Sequence, residues 1–289
     1  VWVQNQHDVN RLLSHRLGMV ALVALALLGV APAGASPPPP DAPLPTKPLT
    51  LASALTDTTT SLRGAIDAWR AAGAASPAPD DLVLLALYQQ RLTRLLARRP
   101  QLAGVTLPLL PSKLRAFVRD VVDAHRELVT ITPPLRTRTP HVGPAAPAPK
   151  LLSYYNVAER RFGVAWRVLA AVNFVESAFG KVRSASAAGA LGPMQFMPAT
   201  WRKYGLGGNV RDPHDAIMGA ANYLRASGAR TNIRRALHAY NPSRTYVDAV
   251  LRYARQIRAD VDAFYTLYNW QVFARTPAGE KRLTGPGRP

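Results

Sequence analysis

The chain has 289 residues, 48% of them hydrophobic, which is enough apolar side chain for a sizeable core and excludes a disordered or collagen-like polymer. It contains no cysteine, so a disulfide framework, a thiolate zinc site and a catalytic thiol are excluded together. Lys and Arg number 36 against 17 acidic residues, a formal charge of +19 that suits an anionic partner without distinguishing nucleic acid, an acidic membrane or a cell-wall polymer.

From Leu17 to Ala33 the sequence is almost wholly apolar, follows Arg11 and Arg16, and runs through Ala33-Gly34-Ala35 into Ser36. Residues 1–35 therefore read as a signal peptide cleaved after Ala35, which makes the protein secreted or bound to the cell envelope. An uncleaved anchor is the alternative, although the run falls short of the ~20 residues of a spanning helix. Residues 36–49 hold seven prolines, too many for a helix or a sheet ladder, and read as an extended spacer that holds the next region at a distance.

Residues 50–131 have helical spacing in three stretches and read as a small helical region. In the second, Leu82, Leu85, Leu92, Leu95 and Leu96 form an apolar stripe, with Asp80 expected as its cap. Arg91, Arg94, Arg98 and Arg99 on the same helix are expected to be a solvated face, with binding of an anionic polymer as the other reading. Ser112 opens a third helix carrying Leu114, Phe117, Val118, Val121 and Leu128. Residues 132–149, with six prolines, are expected to be a linker between domains. Helical patterns then fill 150–270, the last running unbroken through Val247, Val250, Ala254, Ile257, Val261, Phe264 and Tyr268. Residues 271–289, rich in Gly, Pro and basic side chains, are expected to be a loose basic tail. The fold class predicted is mainly α.

Glutamate occurs only at Glu127, Glu159, Glu176 and Glu280. Of these, Glu176 stands on the apolar stretch Val164–Phe179 and shares a helical face with Leu169, Val172 and Asn173. Burial disfavours a carboxylate, so such a side chain tends to hold a proton near neutral pH, as a general acid must. The competing account is a buried Glu paired with one of the many arginines.

Glu176-Ser177 at a helix end, Gly189–Trp201 with its Gly192-Pro193-Met194-Gln195-Phe196 core, Asp212-Pro213-His214-Asp215-Ala216-Ile217, and Ala239-Tyr240-Asn241 before a long helix follow one another in a specific order and spacing. Together they resemble the lytic transglycosylase domain of bacterial cell-wall enzymes, a branch of the lysozyme-like superfamily, over about Leu151 to Tyr268. The resemblance implies a lysozyme-like helical catalytic domain preceded by a small helical region, with Glu176 as catalytic acid and then base. It further implies that Ser177 orients that Glu, that Met194, Gln195 and Phe196 line the cleft, and that Tyr240 and Asn241 contact the Glu or the sugar. Two positions depart from many relatives: Pro193 stands where Leu is common, and Ser243 where Gly is common. Phe196, Trp201 and Tyr204 are candidates for an aromatic rim that stacks on pyranose faces, although Trp201 fits a packing role equally well.

The implied substrate is the peptidoglycan glycan strand, cut between N-acetylmuramic acid and N-acetylglucosamine with a 1,6-anhydro end as product. Most glycosidases use two carboxyl groups. Asp212 and Asp215 are expected instead to cap the helix that Pro213 begins, which leaves Glu176 alone. A muramidase-type hydrolase acting through water and a non-catalytic wall-binding module are the alternatives. The dispersed histidines offer no ligand spacing and no phosphate-cradling loop occurs, so neither metal nor cofactor is expected. The export signal argues against nucleic acid as the partner and leaves wall polymers.

Overall fold

Proline decides where several helices start, because a residue in the first turn has no intrahelical partner for its N–H. In the computed structural model, which describes residues 36–135 and 139–287, α1 (Pro48–Ala71), α3 (Pro100–Thr106), α7 (Pro198–Tyr204) and α8 (Pro213–Ala226) all begin on one. The remaining helices among the described residues are α2 (Asp80–Arg98), α4 (Ser112–Ile131), α5 (Ala148–Phe162), α6 (Trp166–Ser177), α9 (Ile233–Tyr240), α10 (Arg244–Ala259) and α11 (Val261–Asn269). The fold is mainly α, as its periodicities predict. The apolar segment Leu17–Ala33 lies outside the described residues.

Helices from both sides of the proline-rich stretch 132–149 fill one core. Leu62, Ile66 and Trp69 of α1, Leu82 of α2 and Val121 of α4 pack with Tyr155, Leu169, Phe179, Phe264 and Trp270. The Trp69 ring stacks on Tyr268 at 6.0 Å and meets Tyr265 edge-on at 5.9 Å. Burying each such side chain contributes roughly 1.5–3 kcal/mol. A smaller cluster of Leu51, Leu55, Leu92, Leu96 and Val118 joins α1, α2 and α4.

Polar contacts fasten α4 to α10. Asp120, buried on α4, accepts from Arg255 Nε at 2.8 Å, from a second Arg255 nitrogen and from Gln256, while Arg252 of α10 bonds Glu127 at 3.1 Å. A buried carboxylate is tolerable because its lone pairs are filled by donors from the facing helix.

Four local expectations are corrected. Asp80 is the first residue of α2 and makes no capping hydrogen bond; Pro79 takes the cap position, and Asp80 and Asp81 serve the positive end of the helix dipole instead. The unbroken last helix is two helices. Asp260 turns extended (φ −156°), and its side chain accepts from Asp262 N at 2.9 Å to cap α11. The spacer 36–49 does not stand free: Leu44 packs on the smaller cluster and Arg91 bonds the Pro40 carbonyl at 3.0 Å. The tail forms an antiparallel hairpin, β1 (Phe273–Thr276) and β2 (Gly279–Arg282), because Glu280 supplies the carboxylate that Arg94 and Arg98 of α2 require, each at 2.5 Å.

Candidate active site

Glu176 is the penultimate residue of α6, and the helix ends abruptly behind it. Ala178, Phe179 and Gly180 all take positive φ (51°, 63° and 83°), so the chain turns away within three residues. The bends are held by side chains. Ser177 Oγ accepts from Gly180 N at 2.8 Å and donates to the Pro193 carbonyl at 2.5 Å. Asn173, fully buried one turn earlier, donates to the same carbonyl at 2.8 Å and accepts from Tyr155 Oη at 2.6 Å. Thus the loop 192–195 is tied to the end of α6 through a backbone oxygen, a role that Pro193 fills as well as Leu would.

That loop is a tight turn. Gly192 is left-handed (φ 75°), and a Cβ there would lie 1.8 Å from the Val210 carbonyl oxygen, so no other residue fits without moving backbone. Gln195 is also left-handed (φ 48°), with its amide bonded to Gly192 O at 2.9 Å. Tyr240, the last residue of α9, donates to the Met194 carbonyl at 2.6 Å. From Phe196 an aromatic row continues through Tyr240 (5.8 Å), Tyr223 (5.5 Å from Tyr240) and Tyr204 (4.7 Å from Tyr223). Trp201 packs under it against Gly205 and Gly219, each of which has no room for a Cβ beside the indole.

The carboxyl of Glu176 is half-buried, and Oε1 accepts a 2.7 Å hydrogen bond from Tyr246 Oη. Tyr246 sits in the first turn of α10, whose N-cap is Ser243, accepting from Tyr246 N at 3.2 Å. Ser in place of Gly at 243 therefore does a structural job in holding the tyrosine. Burial pushes Glu176 up from an ordinary 4.5 to about 7, and the Tyr246 hydrogen bond, which favours the ionised form, restrains the rise. No arginine bonds this carboxyl among the described residues. Near neutrality it is half protonated, able to donate a proton and then to take one.

Glu176 also lines a cavity of ≈ 240 Å³. Its other wall comes from α2, α4 and the hairpin, including Arg94, His125, Phe273 and Glu280. Glu280 is thus a second carboxylate on the same cavity. Burial alone would raise it, but the His125 hydrogen bond and the Arg94 charge outweigh that and hold it at about 2. So weak a base does not activate water.

The sequence-predicted residues divide by accessibility. Glu176, Gln195, Tyr240 and Asn241 keep exposed surface. Met194 and Phe196 are 0% and 2% exposed, so the cleft lining expected of their side chains is corrected to a supporting role, and Ser177, 1% exposed, bonds Pro193 O and Gly180 N where an orienting contact to Glu176 was expected. Asp212 accepts from Asp215 N at 3.0 Å as the N-cap of α8, and Asp215 accepts from Asn209 N at 2.9 Å. With His214 these two could reach one cation, but their oxygens serve the capping turn. Three residues that surround the site were not singled out from the sequence. Tyr246 and Tyr223 fall on helical stripes indistinguishable from core, and Glu280 lies in a stretch without periodicity.

Residues 153–261 match the family model described as the transglycosylase SLT domain. No solved structure matches the chain.

Proposed function

Residues 153–261 belong to the transglycosylase SLT domain family of the lysozyme-like superfamily, whose members are lytic transglycosylases of peptidoglycan, and from that premise we propose that Glu176 is the single acid and base of this enzyme and that its product carries a 1,6-anhydro end. One observation carries the reading: a half-buried carboxyl at about 7, bonded by a tyrosine and, among the described residues, by no cation.

In this scheme the Glu176 proton passes to the glycosidic oxygen as the C1–O bond of the muramic sugar breaks, and N-acetylglucosamine leaves as the alcohol. The N-acetyl oxygen of the muramic sugar supports the electron-poor C1. Glu176, now ionised, takes the proton of the C6 hydroxyl of that same sugar, whose oxygen bonds C1 and closes the anhydro ring. Both proton transfers use one carboxyl, and the tethered hydroxyl outcompetes water through its effective molarity. Tyr246 steadies the ionised stage between them, since its O–H stabilises negative charge on Oε1. Tyr204, Tyr223 and Tyr240 supply ring faces for sugar, and Gln195 and Asn241 supply amides.

An acid at about 7 suits a wall-side enzyme working near neutral pH. Export through the apolar segment Leu17–Ala33 belongs to the same proposal; among the described residues no helix is long and apolar enough to cross a membrane.

Mass spectrometry of fragments released from purified peptidoglycan tests it, with Glu176→Gln alongside. Anhydromuramic ends that disappear in the variant are the expected result. Reducing ends would replace this mechanism with a water-using muramidase, and undiminished release by the variant would remove Glu176 from the chemistry.

A further inference from the structure

The cavity beside Glu176 has a neighbour of ≈ 350 Å³, and the two share Arg94, Phe273 and Glu280 as a common wall. The second adds Arg91, Arg98 and Leu44, and all of its lining lies outside the 153–261 family match. Arg91, Arg94 and Arg98 stand at steps of three and four along α2, on one face and within about 10 Å of rise. Their spacing alone suggests a solvated face, which Arg98 keeps, while the hairpin covers Arg94, whose guanidinium lies 4.3 Å from the centre of the Phe273 ring.

Charge in this pocket is not balanced. Three guanidiniums meet one lining carboxylate, Glu280, which takes 2.5 Å bonds from Arg94 and Arg98, and Asp41 adds a second negative charge felt by Arg91. Arg91 spends one N–H on the Pro40 carbonyl. Each guanidinium carries about five N–H donors, so most remain for an incoming anion. Burial works against the charge on Arg94 and on Arg91, which makes an additional anion welcome.

We propose that this arginine pocket binds a carboxylate of the peptide branch carried by the muramic sugar, and so selects peptide-bearing glycan strands. The inference rests on the transglycosylase reading, because the pocket shares Arg94, Phe273 and Glu280 with the cavity of Glu176, and a branch on a sugar bound at Glu176 would have to pass that shared edge to reach it. An extended peptide covers about 3.5 Å per residue, so a branch of three or four residues spans the length of the arginine row. Phe273 and Leu44 give the pocket apolar sides for the aliphatic parts of such a branch. A separate phosphodiester polymer gains nothing from the shared wall.

The test compares the full chain, Arg91→Ala/Arg98→Ala and Arg91→Lys/Arg98→Lys on glycan strands that carry peptides and on strands stripped of them. The parent protein is expected to show a KM about tenfold lower on peptide-bearing strands, the worth of one charge-assisted contact. The Ala variant loses that preference while its kcat/KM on stripped strands stays level, and Lys restores it only in part because it lacks the planar fork. Absence of a preference in the parent, or an equal fall on both substrates in a folded variant, would overturn the proposal. Calorimetry with a free stem tetrapeptide gives a readout independent of cleavage. Arginine-dependent binding supports the pocket even where no strand is cut, a result that would sink the transglycosylase reading alone. Strand cleavage without saturable peptide binding overturns the pocket alone, and so does displacement of the peptide by a phosphodiester polymer that binds more tightly.

Discussion

Glu176 and Tyr246 meet across 70 positions of sequence, and their one hydrogen bond balances two demands. On the proposed mechanism the acid must hold its proton near pH 7, which burial achieves, and the same group must then survive as a carboxylate, which the phenol assists. With Glu176 at about 7, kcat/KM is expected to fall roughly tenfold per pH unit above that point, as the proton donor is lost. Tyr246→Phe removes a donor that favours the ionised form, so the alkaline limb should move up by about one pH unit while the maximum rate drops. A pH profile of the variant superimposable on the parent's would show that the bond has no part in setting the acid. Behind the pair, Asn173 and Ser177 hold the Pro193 carbonyl, so the loop bearing Gln195 keeps its place relative to the acid through backbone and not through the side chain at 193.

Helix α10 is the element on which site and scaffold converge. Its first turn presents Tyr246 to Glu176, and two turns on, Tyr253 packs edge-on to Phe174 of α6 at 4.8 Å. From the same stretch, Arg252, Arg255 and Gln256 engage Asp120 of α4. Asp120→Ala should cost roughly 2–3 kcal/mol, less than the 3–5 of a fully enclosed pair because Arg255 can turn to water. Urea unfolding measures this, and a midpoint equal to the parent's would show that the α4–α10 joint is apolar in its energetics. The Asp260 break after α10 illustrates how little periodicity says about helix ends. Ile257, Val261 and Phe264 keep helical steps across the break, since both helices bury an apolar face, and only the aspartate's side-chain bond to Asp262 N marks the stop.

For the molecule as a whole, the helices that precede the family match are part of what keeps the matched segment folded. Trp69 lies against Tyr265 and Tyr268, and Leu62, Ile66 and Val121 belong to the same core as Phe179 and Phe264. Residues 150–270 produced alone should therefore fail to give a cooperative thermal transition and should expose apolar surface, which calorimetry and dye binding read directly; a sharp transition near that of the full chain would mean that the second group of helices is self-sufficient. The acid in its apolar helix, the Asp212 cap and the mainly α class were legible in the chain because each rests on residues within a few turns of one another, and the order of motifs was legible because it is read along the chain without contacts. The burial of Arg94 was not, because its partner Glu280 stands 186 positions away in a stretch that has no periodicity to read. Nor was the commitment of Ser177 and Met194 to the interior, which depends on what closes over them. Local spacing determined the helical class, the proline starts and the placing of Glu176 on an apolar helix. Tertiary packing alone decided which phenol meets that acid, which carboxylate neutralises α2 and which cavity adjoins the site, because burial and long-range charge pairing arise only when distant segments come together.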